Sequence, residues 1–354
     1  MSQPLPRNQV LLGDCVEQMN ALPEKCADLV FADPPYNMQL QGELWRPNMT
    51  KVDAVTDPWD KFHSFAEYDA FTRAWLLAAR RVLKDTGTLW CMGSYHNVYR
   101  VGAIMMDLGF WILNDVVYIK KNPTPQMKGT RFCNAHDTLI WAKKSAHQPK
   151  YTFHYKALKA GNEDKQMRSD WHLPICSGHE RETLGGKKAH PTQKPESLLH
   201  RVIAATSNPG DLILDPFCGT GTTAAVAKKL GRDYITIDRE PLYVEVARRR
   251  MEAVSPSLLG DEGVFVDAPK PRVPFVSLVE SGALPAGTRL RLKGAQTTAT
   301  VHADGSITAA GRRGSIHKVG AACLNLPTCN GWTAWLYTDP ATGEERLLDA
   351  LRTP

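Results

Sequence analysis

The sequence lacks three features that would each narrow its functional class. No run approaches the ~18 apolar residues of a membrane span. The amino-terminal residues do not show the basic and then apolar pattern of a secretory signal peptide. The eight cysteines include no C-x-x-C pair, which argues against both a zinc site and a disulfide framework. We therefore expect a cytoplasmic protein with reduced thiols, no membrane association and no bound metal.

Internal repeats and low-complexity tracts are also absent, and 354 residues are enough for one large domain and a smaller one. The net charge of +6 is modest, but it is unevenly distributed. Residues 120–201 alone carry +9, whereas residues 1–119 carry −4. A localised basic segment is typical of a surface that binds a polyanion, although a solvated lysine-rich face has the same composition.

A short apolar run, residues 27–32, leads directly into Asp33-Pro34-Pro35-Tyr36. The run predicts a strand buried on both faces of a mostly parallel sheet, and the two prolines force the chain to leave it. Ligands of open α/β sheets bind beyond the carboxyl ends of strands. There, the Asp33 carboxylate and the Pro34 carbonyl can each accept an N–H from an amino group, and Tyr36 can stack on a base. An ordinary strand-to-loop turn is the alternative. The segment resembles the DPPY motif of amino-methyltransferases, which methylate the exocyclic nitrogen of a nucleic-acid base.

A second motif combines a predicted strand, residues 212–215, with a glycine turn and a helix, in Asp215-Pro216-Phe217-Cys218-Gly219-Thr220-Gly221-Thr222-Thr223. Glycines allow a ligand to approach the backbone, and the two threonines can cap the helix. The motif is neither G-x-G-x-x-G nor a GK[ST] loop, which favours a zwitterionic, phosphate-free ligand over a dinucleotide or ATP. The next predicted strand ends at Asp238, where a carboxylate can bind ribose hydroxyls. The loop resembles the FxGxG loop that binds S-adenosylmethionine, except that Cys218 replaces a bulkier apolar residue.

Two further segments complete the predicted site. Gly13-Asp14-Cys15 follows a short apolar strand, and the resemblance implies that Asp14 faces the adenine of the methyl donor. His190-Pro191-Thr192-Gln193-Lys194-Pro195 precedes a helix and resembles the segment near the methionine end of the donor. The predicted catalytic residues are Asp33, Pro34, Pro35 and Tyr36. The predicted donor-binding residues are Asp14, Cys15, Asp33, Lys194, Pro195, Asp215, Phe217, Gly219, Gly221, Thr222, Thr223 and Asp238.

Nearly the whole chain resembles one family, the β-group, cell-cycle-regulated DNA adenine-N6 methyltransferases. The resemblance also rests on Arg131-Phe132-Cys133-Asn134-Ala135-His136 and on Asn330-Gly331-Trp332. It implies an α/β class I (Rossmann-like) methyltransferase fold with a mostly parallel sheet, a homodimer, and methylation of adenine in GANTC in double-stranded DNA. The tail resembles the restriction-adenine-methylase-associated domain, a small α+β module.

The predicted organisation is a methyltransferase domain over residues 1–254, with a target-recognition insertion at about 120–189. A proline-rich linker over 255–274 and a DNA-engaging domain over 275–354 follow. Apolar residues of the irregular stretch 38–63 are placed to wedge into a base stack. The predicted DNA-contacting residues are Leu40, Leu44, Arg46, Lys121, Lys128, Arg131, Asn134, Lys187, Ser315, Asn330 and Trp332.

Three alternatives stay open at this point. An N4-cytosine enzyme more usually has Ser in place of Asp33. An RNA or protein-amide methyltransferase more often has Asn there, and the large basic segment disfavours it. A non-catalytic DNA-binding protein would keep that segment without needing Asp33 and Tyr36.

Overall fold

The computed structural model describes residues 4–38, 60–123, 129–255, 273–340 and 342–352. The chain divides into two compact units, Met1–Asp267 and Ala268–Pro354. The boundary falls within the stretch that the sequence predicts as a linker, most of which lies outside the described residues.

An eight-stranded sheet forms the centre of the first unit. Its strands are β1 (Gln9–Leu12), β2 (Ala27–Ala32), β3 (Leu83–Gly93), β4 (Trp111–Lys120), β5 (His136–Lys143), β6 (Asp170–Leu173), β9 (Leu212–Asp215) and β10 (Asp233–Asp238). Two further strands of this unit, β7 (Thr183–Leu184) and β8 (Lys187–Lys188), form a separate hairpin. The strand order in the sheet is β1-β10-β9-β2-β3-β5-β4-β6. Strands β1, β10, β9, β2 and β3 are parallel neighbours, β5 is antiparallel to both β3 and β4, and β6 is parallel to β4. The predicted class I methyltransferase arrangement is therefore confirmed.

Helices cover both faces of this sheet, which explains the unbroken apolar run of β2. Leu29 and Phe31 belong to one hydrophobic core, whereas Val30 and Ala32 belong to the core on the opposite face. The helices of this unit are α1 (Cys15–Ala21), α2 (Phe65–Val82), α3 (Val98–Asp107), α4 (Tyr155–Ala160), α5 (Glu196–Thr206), α6 (Thr222–Lys229) and α7 (Pro241–Ala253). No described helix is both long and apolar enough to span a membrane.

Part of the segment predicted as a target-recognition insertion, at about 120–189, belongs to the main sheet, and its role in target recognition stays a prediction. This segment supplies β5 and β6, and β5 lies between β3 and β4 in the main sheet. The basic segment is therefore partly sheet core, because β5 contributes buried residues such as Leu139 and Trp141.

Two local predictions were also wrong. The pattern of apolar residues predicts that α2 continues to a cap at Gly87, but the helix ends at Val82. Gly87 lies inside β3, where a Cβ atom would be 2.8 Å from the carbonyl oxygen of Asp28. The alternation of aromatic and polar residues over 151–155 predicts a half-exposed strand. No regular element covers 151–154, however, and Tyr155 begins α4.

The second unit has its own six-stranded antiparallel sheet. The elements of this unit are α8 (Phe275–Glu280), β11 (Arg289–Leu292), β12 (Thr298–Val301), β13 (Ile307–Ala309), β14 (Arg312–Gly314), α9 (Ile316–Leu324), α10 (Gly331–Ala334), β15 (Trp335–Thr338) and β16 (Glu345–Leu347). The strand order is β14-β13-β12-β11-β15-β16. The sequence predicts a hairpin around Asp304 and Gly305, and this hairpin joins β12 to β13. It also predicts a strand over 333–337, but these residues are divided between α10 and β15. The core of the unit includes the fully buried Trp335.

Candidate active site

The carboxyl ends of β1, β2, β9 and β10 surround one cavity in the first unit, and the 190–194 segment closes part of it. The cavity brings together both sequence motifs, as expected for parallel strands that end at one edge of a sheet. The predicted residues that line it are Asp14, Cys15, Asp33, Pro34, Pro35, Tyr36, Lys194, Asp215, Phe217, Gly219, Thr222, Thr223 and Asp238. Of the predicted set, Pro195 and Gly221 are not among the lining residues.

Both carboxylate oxygens of Asp33 are hydrogen-bonded. The Tyr36 hydroxyl donates to Oδ1 at 2.8 Å, and the Lys194 ammonium donates to Oδ2 at 2.5 Å. The same ammonium lies 5.3 Å from the centre of the Tyr36 ring. Burial and the neighbouring Asp33 raise the pKa of Tyr36, so its hydroxyl remains a donor at neutral pH. An incoming amino group must therefore share this carboxylate with Lys194 or displace it.

Asp60 holds the backbone of the catalytic motif, and nothing in the sequence pointed to it. Its Oδ1 accepts the backbone N–H groups of Tyr36 at 2.6 Å and Asn37 at 2.8 Å, and its Oδ2 accepts that of Met38 at 3.0 Å. Asn37 has a left-handed φ of 52°, a conformation that needs such external support. Burial raises the pKa of Asp60, while the three N–H donors favour its ionised form.

A second support comes from α2. The Tyr68 hydroxyl donates to the Pro35 carbonyl at 2.9 Å, and Tyr68 is itself fully buried. A contact from this helix to the motif 33 residues earlier has no local signal in the sequence.

The donor loop between β9 and α6 is held in shape mainly by hydrogen bonds between its own residues. The Thr223 hydroxyl donates to Asp215 Oδ2 at 2.5 Å, and the Phe217 N–H donates to Asp215 Oδ1 at 2.9 Å. Burial raises the pKa of Asp215 to about 7. The cap of α6 is Gly221, with a φ of 77°, so the prediction that Thr222 and Thr223 cap this helix was wrong.

Asp238 connects the loop to the neighbouring strand β10. Its Oδ2 accepts the Gly219 N–H at 2.8 Å, and its Oδ1 accepts the Glu240 N–H at 3.0 Å. Burial raises its pKa, with the two N–H bonds opposing that shift. The carboxylate thus lines the cavity and fixes the loop at the same time.

Two further residues support the donor side: Arg250, which the sequence did not single out, and His190 of the predicted 190–195 segment. Buried Arg250 donates to the Thr220 carbonyl at 3.2 Å and to Glu196 at 2.8 Å. The His190 ring packs edge-on against Tyr243, with ring centres 4.6 Å apart. Burial lowers the pKa of His190 to about 4, so this ring is neutral at pH 7.

The predicted DNA contacts lie in different environments. Lys121, Arg131 and Lys187 are exposed and Asn134 is half-buried. In the second unit, Ser315 and Asn330 are exposed helix caps. The residues Leu40, Leu44, Arg46 and Lys128 lie outside the described part of the chain.

The position of Trp332 argues against its predicted contact with DNA. It is only 7% exposed and belongs to the core of the second unit, where its ring packs against Phe275 and Arg352. An indole buried in this way has no face left for a base.

Comparisons with known proteins agree with this geometry. Residues 27–249 match the family described as DNA methylase, and residues 264–354 match the family described as Restriction Enzyme Adenine Methylase Associated. The Type II methyltransferase M.HinfI of Haemophilus influenzae is 48% identical over 326 residues, which is 92% of this chain and 90% of that protein. The Type II methyltransferase M2.DpnII of Streptococcus pneumoniae is 39% identical over 70% of this chain and 91% of its own length.

The chain belongs to the DNA methylase family. It is an S-adenosylmethionine-dependent DNA methyltransferase of the adenine-N6 class. This membership agrees with Asp33-Pro34-Pro35-Tyr36 at the end of β2, and it does not favour the N4-cytosine or non-catalytic alternatives.

Solved structures with the same fold are more distant in sequence. The methyltransferase M1.HpyAVI in complex with SAM covers 69% of this chain and 98% of its own, with a TM-score of 0.50 and 23% identity. A DNA modification methylase of Thermus thermophilus covers 71% and 97%, with a TM-score of 0.51 and 22% identity. The cytosine-N4-specific PvuII DNA methyltransferase covers 72% and 89%, with a TM-score of 0.53 and 21% identity. These similarities establish the fold.

The cavity fits S-adenosylmethionine by the chemistry of its lining. Carboxylates at three strand ends, Asp14, Asp215 and Asp238, surround a glycine loop and can pair with amino and hydroxyl groups of a zwitterionic nucleoside. One Asp14 oxygen also caps α1, accepting the N–H groups of Val16 and Glu17 at 2.9 and 3.1 Å. Within the described ranges, no group of His, Cys, Asp and Glu side chains is arranged to hold a metal ion.

Proposed function

We propose that this methyltransferase modifies adenine N6 within GANTC in duplex DNA, after the target base has rotated out of the helix. The observation that carries the proposal is the position of Asp33, which faces the donor loop across a single cavity. The target sequence and the assignment to the cell-cycle-regulated type are supported by the motif resemblance. A homodimer acting on the chromosome in the cytoplasm is part of the same proposal.

In this mechanism the Asp33 carboxylate and the Pro34 carbonyl each accept one N–H of the target amino group. That pairing favours a pyramidal nitrogen, whose lone pair can attack a methyl carbon. The ring of Tyr36 stacks on the extruded base while its hydroxyl keeps Asp33 oriented. Lys194 yields part of its contact with Asp33 when the amino group arrives.

S-adenosylmethionine supplies the transferable methyl group. Asp238 would bind its ribose hydroxyls, Asp14 would face its adenine, and the Gly219 backbone would lie against it. Lys194, next to the catalytic carboxylate, would lie near its methionine end. Neutral His190 contributes to the wall at the Gly219 turn without adding positive charge.

DNA engagement requires energy from outside the cavity, because extruding a base costs a few kcal/mol. We propose that phosphate contacts by exposed Lys121, Arg131 and Lys187 supply part of it, together with the apolar residues Leu40 and Leu44. The proposed domain roles are unchanged: catalysis lies within 1–254, and residues 275–354 engage DNA through exposed groups such as Ser315 and Asn330.

The experiment uses two synthetic duplexes that differ only in whether they contain GANTC. After incubation with the protein and S-adenosylmethionine, both are digested to nucleosides and analysed by mass spectrometry. N6-methyladenine from the GANTC duplex alone is the expected result. N4-methylcytosine would establish the alternative chemistry, and equal methylation of both duplexes would refute the target sequence.

A further inference from the structure

Three residues outside the cavity, Tyr95, His96 and Arg131, contact one another, and Phe132 follows Arg131 in the chain. These four residues are here called the aromatic–arginine cluster. Tyr95 and His96 follow the carboxyl end of β3, and Arg131 and Phe132 precede β5. Gly93 of β3 pairs with Thr138 of β5, so both chain segments lie at the same edge of the sheet. Because Cys91 of β3 pairs with Ala32, which precedes Asp33, this is the catalytic edge.

The contacts within the cluster are specific. The Arg131 guanidinium lies 5.3 Å from the centre of the Tyr95 ring, and Arg131 Nη1 donates a hydrogen bond to the Tyr95 hydroxyl. The Tyr95 and His96 rings are tilted against each other with centres 4.1 Å apart. Arg131 is thereby fixed over one ring while its remaining N–H groups can contact a phosphate or a base.

The cluster is also electrostatically connected to the catalytic motif. Burial and the charge of Arg131 lower the pKa of His96, and the Asp60 carboxylate opposes that shift. Asp60 is the residue that holds the Tyr36, Asn37 and Met38 backbone. The cluster therefore adjoins the support of the catalytic motif.

Phe132 is the feature that points to a partner. It is 97% exposed, whereas Tyr95 is 44% exposed because Arg131 and His96 lie against its ring. An exposed phenyl ring that follows an arginine in the chain, at the sheet edge that carries the catalytic motif, offers the combination of stacking and positive charge that binds single-stranded nucleic acid.

We propose that the aromatic–arginine cluster is a stacking platform for an unpaired nucleobase of the DNA strand that opens around the target. This inference rests on the proposed function and extends it, because it identifies where a base outside the catalytic cavity is held. A second copy of this chain is the competing occupant. The positive charge of Arg131 at the catalytic edge favours a polyanion over that copy.

The experiment compares Phe132→Ala with a matched control, Trp111→Ala. Trp111 is 55% exposed and pairs with Lys143, at the end of the sheet opposite the catalytic edge. Both substitutions remove an exposed ring, so neither creates a cavity in a core. Phe132→Tyr keeps a ring and serves as the rescue variant. The probes are a GANTC duplex at two salt concentrations and S-adenosylmethionine alone.

We expect Phe132→Ala to weaken duplex binding by about 5- to 100-fold, the contribution of stacking one base. The salt dependence of binding and the affinity for S-adenosylmethionine should match those of the unmodified protein, and Trp111→Ala and Phe132→Tyr should bind normally. Duplex affinity within twofold of normal for Phe132→Ala would overturn the platform, as would an equal loss for Trp111→Ala. A changed oligomeric state at unchanged DNA affinity would assign Phe132 to the second copy. If the unmodified protein methylates no GANTC duplex, the proposed function fails first.

Discussion

The two sides of the cavity are built differently. On the donor side, the loop after β9 is held by hydrogen bonds between residues close in sequence, such as the one from Thr223 to Asp215. Asp238, on the adjacent strand, accepts a further bond from this loop. On the acceptor side, Asp33-Pro34-Pro35-Tyr36 has few local contacts, and its shape depends on Asp60, Tyr68 and Lys194. The donor side is thus mainly a local structure, with Arg250 as a distant support, whereas the acceptor side is assembled by tertiary contacts.

This difference implies that the two sides can fail independently. Loss of a distant support should distort the acceptor side without altering the loop that holds the donor. Loss of a loop carboxylate should weaken donor binding and leave the catalytic motif in place. The predictions below test that separation, beginning with the largest expected effect.

The largest effect is expected for Asp33→Ala. Methyl transfer should fall by about 10²–10³-fold or more, because the substitution removes the charged acceptor that stabilises the attacking nitrogen. Donor affinity should stay within a few-fold of normal. Single-turnover transfer and calorimetric donor titration measure the two quantities.

Asp33→Ala also leaves Lys194, whose side chain is only 13% exposed, without its carboxylate, so a control is needed. The double variant Asp33→Ala/Lys194→Met removes that unpaired charge. If the double variant folds normally and still transfers methyl groups at a near-normal rate, Asp33 does not have the role assigned to it.

Asp60→Ala should have the next largest effect, a loss of about 10- to 100-fold in the transfer rate. The three N–H groups that Asp60 accepts would lose their partner, and a small displacement of the motif is costly to catalysis. Asp60→Asn should recover part of the rate, since the amide oxygen can still accept. Asp69→Ala is the matched control, because Asp69 bonds Arg100 instead of the motif. If Asp60→Ala and Asp69→Ala lost the same fraction of the transfer rate, Asp60 would have no special role in holding the motif.

His190 provides a pH-dependent test of the donor side. Its pKa of about 4 in the folded protein lies below the ordinary 6.5, so the unfolded chain binds more protons between these values. Stability contributed by neutral His190 is therefore complete above about pH 6.5 and is lost as the pH falls towards 4. Between pH 7 and pH 5 the loss should be about 2 kcal/mol.

Urea unfolding at pH 7 and pH 5 measures this loss. His190→Gln should reduce the pH dependence by about that amount, whereas His147→Gln, at an exposed histidine, serves as the matched control. Identical pH dependence in the unmodified protein and His190→Gln would show that His190 titrates as it does in the unfolded chain.

The smallest effect is expected for Asp238→Ala, a loss of about tenfold in donor affinity from removal of one charge-assisted partner. Since Asp238 also holds the Gly219 N–H, Asp238→Asn separates the two contributions: an amide can still accept that bond without carrying charge. Unchanged affinity in both variants would place the ribose contact elsewhere.

The same difference explains what could be predicted from the sequence. The donor loop directly follows its strand, and Asp238 ends the next strand. The parallel-sheet pattern alone therefore predicted that they lie close together. Three other contacts have no local signature in the sequence. They join Asp60 to Tyr36, Tyr68 to Pro35 and Arg250 to Thr220, which are 24, 33 and 30 positions apart. Trp332 was misassigned for a related reason, because an aromatic residue in a polar segment has the same sequence pattern whether it is exposed or buried.

The most direct test of the separation measures donor affinity and single-turnover transfer at saturating donor, side by side, in Asp60→Ala and Asp238→Ala. We predict that Asp60→Ala loses transfer rate and keeps donor affinity, and that Asp238→Ala loses donor affinity and keeps the rate at saturation. A loss of both quantities in both variants would contradict the independence of the two sides.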